Sequence, residues 1–194
     1  MHRRISVPGR TAPGRHPGEK RSMYTTAPGI AVLLGPMETT EFFNHIRKAD
    51  LQAVKADLEA HPDWVHARDS RGSTPLIMAS YYDHRELVQW LLEKGARIDE
   101  KDGAGNTALM GVCFKGYEAM ASILIDAGAN VNARNGMGGT CLIFAVTFDR
   151  EGIARLLIEH GADKDAVDAQ GHTALYHART QGRDHLVSML EADS

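Results

Sequence analysis

Apolar residues recur along this chain in a fixed long-range phase. Leu76 and Ala79 precede a polar gap and then Leu87, Leu91 and Leu92. Leu109 and Val112 lead to Met120, Leu124 and Ile125, and Leu142 and Ala145 lead to Ile153, Leu157 and Ile158. Each set lies 33 residues after the one before. Within a set, spacings of three and four predict two short amphipathic helices, with a reversal near Asp83, Gly116 or Asp149. Thr74, Thr107, Thr140 and Thr173 stand before each first helix, where a hydroxyl accepts a backbone N–H, and Pro75 suits the first helical position. Gly95, Gly128 and Gly161 follow the second helices, where left-handed backbone ends a helix. Asp69, Asp102, Asn135 and Asp168, each three residues before a glycine, predict a tight turn into every unit.

One helix pair cannot bury its own faces, so such units must stack into a continuous core. The pattern, read at Asp69, Gly72, Thr74-Pro75-Leu76, Leu91-Leu92 and Gly95-Ala96 and their periodic counterparts, resembles the ankyrin repeat. The resemblance implies an all-α solenoid of about five helix–turn–helix units. Their boundaries fall near 38–68, 69–101, 102–134, 135–167 and 168–194, after a disordered basic leader at 1–37. One departure is that Ile77, Met110, Ile143 and Tyr176 replace the histidine the family usually carries after the leucine. That imidazole ties adjacent turns together, so a less rigid turn region is expected.

The first unit lacks the Thr-x-Leu tripeptide. Phe42, Phe43 and Ile46 still share one helical face, and Leu51, Val54 and Leu58 share another. Thr39 or Thr40 is expected to cap its first helix, with Glu41 in the first turn. Trp64 and Val65 are expected to fold back over the pair after Pro62. Glu41, Asn44, Arg47 and Lys48 supply the polar outer face of a terminal unit. In the last unit Arg179 places a charge where the next unit would stack, while Leu186, Val187, Met189 and Leu190 face inward. This is the pattern of a C-terminal cap.

Charge divides the chain. Residues 1–22 hold Arg3, Arg4, Arg10, Arg15, Lys20 and Arg21 against Glu19, while the chain as a whole carries −3. Rich in Pro, Gly and Arg, the leader cannot offset its chain entropy by burial. Its apolar run, Ile30 to Leu34, is too short for a secretory core and ends at Gly35-Pro36, so a cytoplasmic location is expected rather than export or organelle import. Translation from Met23 or Met37 is a further alternative. The acidic body argues against nucleic acid, and no apolar run is long enough to cross a membrane. A monomer is expected.

No enzyme is expected. The two cysteines, Cys113 and Cys141, fall where small apolar residues fit. Gly103–Ala108 looks like part of a dinucleotide fingerprint but follows a polar turn rather than a strand, and Gly136–Gly139 reads the same way. His172, His177 and His185 gather in the last unit, but no His-x-x-x-His or paired-Cys spacing exists, so neither a metal nor a cofactor is predicted. The resemblance implies that a protein partner meets the concave side, made of turn tips and the exposed ends of the first helices. Carried onto this chain, those positions include Tyr81, Tyr82, Phe114, Met137 and Phe148, edged by Arg71, Lys101, Lys115 and Arg134. Exposed aromatics within a basic rim have the composition of a binding surface for an acidic protein. Tyr82 and Phe148 are expected at the surface, while Tyr81 and Phe114 fit either surface or core. The readings set against this are a secreted or host-directed interaction protein and, less well supported, an enzyme or small-ligand binder.

Overall fold

The computed structural model describes residues 31–192. Residues 1–30, most of the expected leader, lie outside the described residues, as do 193 and 194. Among the described residues ten α-helices form five antiparallel pairs: α1 (Ala31–Arg47) with α2 (Leu51–Ala60), α3 (Pro75–Tyr81) with α4 (Arg85–Glu93), α5 (Ala108–Lys115) with α6 (Glu118–Asp126), α7 (Cys141–Thr147) with α8 (Glu151–Glu159), and α9 (Ala174–Thr180) with α10 (Asp184–Glu191). The first helices α1, α3, α5, α7 and α9 stack in one row, and each second helix packs against its own first helix. Among the described residues β-pairing amounts to two isolated bridges, Arg134 with Thr140 and Val167 with Thr173.

The helices start where the threonines predict. Oγ1 of Thr74, Thr107, Thr140 and Thr173 accepts from the N–H of Ile77, Met110, Ile143 and Tyr176 at 3.2, 3.4, 3.3 and 3.2 Å. The periodic apolar positions Leu76, Ala79, Leu109, Val112, Leu142 and Ala145 are all buried, with Leu87, Leu91, Leu124 and Leu157 facing them. Cys113 and Cys141 lie fully inside this core, and burial pushes the Cys113 thiol well above its ordinary range.

The first helix departs from expectation. It begins at Ala31 and runs through Gly35-Pro36, so Thr39 and Thr40 lie inside it rather than capping it. The rest of the unit follows its pattern. Phe42, Phe43, Ile46 and Val54 are buried, and Trp64, on a 3-10 turn over Pro62–His66, packs its ring 5.4 Å from Phe42. Polar Asp50 caps α2 through Ala53 N–H at 3.0 Å.

The turns are tied without the missing histidine. Oδ1 of Asp69, Asp102, Asn135 and Asp168 accepts from the backbone N–H two and four residues ahead, all at 2.8–3.0 Å. Backbone bonds then link tip to tip: Gly103, Gly136 and Ala169 donate to the carbonyls of Arg71, Ala104 and Met137 at 2.9, 3.0 and 2.8 Å. Gly72, Gly105 and Gly138 turn left-handed beneath these bonds, so close to the next tip that a Cβ at Gly105 would stand 2.7 Å from Gly136 N.

A second tie repeats with the period. Arg68 donates to Lys101 O at 2.6 Å, Lys101 Nζ to Arg134 O at 2.8 Å, and Arg134 to Val167 O at 2.8 Å. Each cation sits at the end of one unit and holds the end of the next.

Candidate functional site: an aromatic face on the first helices

Stacking brings the C-terminal ends of α3, α5 and α7 side by side, with the turn tips beyond them. Tyr81, Tyr82, Phe114 and Phe148 are 37, 44, 39 and 37 % exposed and Met137 is 70 % exposed, so all five stand at the surface. The alternative of a core position for Tyr81 and Phe114 is thereby resolved. These rings still touch one another. Phe114 and Phe148 meet edge to face at 4.7 Å, Tyr81 and Tyr82 at 5.6 Å, and Phe148 stacks near Phe144 at 6.3 Å. Such pairing orients the rings against one another.

A cleft of about 590 Å³ lies between the second and third units, bordered by Arg71, Met78, Tyr81, Tyr82, Gly111 and Phe114. Its origin can be read from the repeat. Met78, Gly111 and Phe144 occupy equivalent positions, and at Gly111 no side chain fills the space between its neighbours. A glycine inside α5 costs the helix about 1 kcal/mol relative to alanine. A second cleft of about 220 Å³ is bordered by Met137, Phe144, Phe148, Asp168 and His177.

The four rim cations divide into two kinds. Lys101 and Arg134 are exposed, but each is bound to a backbone carbonyl of the following unit, as described above. They join units as well as carrying charge. Lys115 lies with Nζ 5.0 Å from the centre of the Tyr81 ring, and Arg71 borders the larger cleft with no side-chain hydrogen bond or ion pair among the described residues. Phe144, Gly111 and Met78 were absent from the residues singled out by sequence. Their 33-residue spacing was the available signal.

In the last unit Asp168, His172 and His177 come together, a grouping that linear spacing does not suggest. His177 Nε2 donates to Asp168 Oδ2 at 2.9 Å, and His172 stacks on Tyr176 with ring centres 3.8 Å apart. Burial pushes the Asp168 carboxyl up, but hydrogen bonds from the His172 amide, the His177 ring and the Gln170 amide outweigh it and hold the group below its ordinary value.

Sequence comparison places this architecture. The family model for ankyrin repeats, in three copies, matches residues 42–135, and the single ankyrin-repeat model matches residues 137–169.

Proposed function

The chain belongs to the ankyrin-repeat family, whose domains are generally protein–protein interaction modules, and we propose that it is a non-enzymatic module holding an acidic protein partner on its concave aromatic face. The observation that carries this reading is the exposed, mutually oriented row of Tyr81, Tyr82, Phe114 and Phe148 beside an open cleft. A large apolar patch left in water costs solubility and gains a rationale only when something covers it. Gly111 supports the same reading: the helix gives up stability there, and what results is space.

In this reading an apolar side chain of the partner enters the cleft over Gly111, between Tyr81 and Phe114. Arg71 and Lys115 face a carboxylate beside it. Met137 adapts its flexible side chain to the partner's neighbouring residue. Lys101 and Arg134 contribute long-range attraction while remaining attached to the next unit.

The test is selection of a displayed random-peptide library on the full chain. Enrichment of acidic sequences with an apolar anchor is expected. Their binding should be lost in a Tyr82→Ala, Phe114→Ala, Phe148→Ala variant of unchanged circular dichroism and melting. Gly111→Phe, which fills the cleft without removing a ring, gives a second route to the same loss. Peptides retained by both variants, or showing no acidic preference, overturn the proposal.

A further inference from the structure

We propose that Asp168, His172 and His177 form a binding site for a divalent transition-metal ion of the zinc type in the last unit. The site is separate from the aromatic face in chemistry and does not depend on the proposal above.

Geometry comes first. One ligand atom from each residue can be chosen so that all lie within 4.8 Å of one another. Zinc bonds of about 2.0–2.2 Å to nitrogen and oxygen place tetrahedral ligand atoms roughly 3.4 Å apart. Asp168 Oδ2 and His177 Nε2, at 2.9 Å, need to part by about 0.5 Å, and His172, within 4.8 Å of both, needs to close by at most about 1.4 Å. Two imidazoles and a carboxylate form a donor set suited to zinc, with water completing the shell.

The neighbours hold these ligands in place. Asp168 Oδ1 is fixed by the N–H groups of Gln170 and His172 at 2.9 and 3.0 Å, which leaves Oδ2 directed at the cluster. Tyr176 lies flat against His172, with an interplanar angle of 11°. Asp168 and His177 are only 14 and 20 % exposed, yet both border the 220 Å³ cleft, which gives an ion a path in. His172 Nδ1 is buried without a hydrogen-bond partner among the described residues. An uncommitted buried imidazole nitrogen is an unusual expense in a folded protein, and metal coordination is one way to offset it.

The repeat supplies an independent argument. The turn carboxylate or amide recurs in every regular unit, at Asp69, Asp102, Asn135 and Asp168. The position of His172 is held elsewhere by Ser73, Asn106 and Gly139, and that of His177 by Met78, Gly111 and Phe144. The other units form the same turn and helix with neither imidazole. Both appear together in the one unit where they meet across the same carboxylate.

The experiment is calorimetric titration of the chelator-stripped full chain with zinc chloride near neutral pH, repeated with cobalt(II) to read its visible ligand-field bands. One saturable ion per chain is expected, weakened at least tenfold by His172→Gln and by His177→Gln and unchanged by His185→Gln, whose ring pairs instead with Asp149. Imidazole nitrogen NMR of the wild type needs no variant. Zinc should shift His172 and His177 and leave His84 and His160 in place. Absence of saturable binding, or binding that survives both glutamine variants or perturbs other histidines, overturns the inference.

Discussion

The close tip-to-tip stacking of the turns makes a prediction with an internal control. Gly105 and Gly171 occupy the same repeat position with nearly the same backbone, φ +83° and +80°. They differ in what lies beyond. A Cβ at Gly105 would meet Gly136 N at 2.7 Å and Asn135 C at 3.2 Å, whereas at Gly171 nothing lies within 4 Å. Alanine in left-handed backbone costs about 1–2 kcal/mol. Its smaller unfolded-state entropy returns about 0.4–1 kcal/mol. Gly171→Ala should therefore lose about 1 kcal/mol. Gly105→Ala carries the same strain plus an overpacking cost of about 1–3 kcal/mol, because the obstacle is backbone and must move as a whole. The shift would also stretch the Gly136 N–H to Ala104 O bond, now 3.0 Å. The expected loss is about 2–4 kcal/mol. Urea unfolding followed by far-ultraviolet circular dichroism measures both. Fluorescence of Trp64 and Trp90, in the first two units, checks that the array unfolds in one step. Losses that agree within about 0.5 kcal/mol would refute the claim that contact between tips, rather than backbone strain alone, makes this glycine necessary.

Three other outcomes follow from the same packing and backbone geometry. Ala49 turns the first unit with φ +55°, where later units use Gly116 and Gly182, and it is exposed; Ala49→Gly should stabilise by about 0.5–1 kcal/mol in the same urea assay. Gly111→Ala should also stabilise, by up to about 1 kcal/mol, because its Cβ would meet Tyr81 at an unstrained 3.6 Å; a measured loss would show that the helix cannot accept even a methyl group there. For Cys113 the folded pKa is raised, so its stability contribution is intact below the unfolded thiol value and falls as pH rises above it. Above about pH 8.5 the chain should lose about 1.4 kcal/mol per pH unit on this account, and Cys113→Ala should reduce that slope; an unchanged slope would assign it to other groups.

Much of the fold was legible because its determinants are local. A threonine cap, a turn aspartate and a left-handed glycine each act within five residues, and the 33-residue period multiplied that signal four times. Five of the proposed face residues were legible for the same reason, since a first-helix end is recognisable from its distance to the cap. The start of α1 was not, because Gly35-Pro36 reads locally as a break and the chain nevertheless continues as helix. The cleft depends on a missing side chain at Gly111 beside two present ones in neighbouring units. Asp168 and His177 are nine residues apart, and only the return of α9 past the turn brings them to hydrogen-bonding distance. Lys101 and Arg134 read only as part of a basic rim, and their role as ties between units was not legible because their acceptors are carbonyls one whole unit away.

The tie that runs from Arg68 through Lys101 and Arg134 to Val167 has a direction, and direction bears on how such a chain can lengthen. The units ending at Lys101 and Arg134 carry both halves of the joint, a carbonyl that receives the preceding cation and a cation that reaches the following carbonyl, whereas the unit ending at Val167 only receives. A duplicated copy of residues 102–134, inserted after Arg134, would accept the joint on one side and offer it on the other. The copy would bring its own turn carboxylate, its own glycine tip and another Phe114. Growth by whole units would thus leave every junction chemically the same while extending the aromatic face by one step. Insertion of any other length would set a cation against the wrong carbonyl, so the joint also acts as a gauge of unit size.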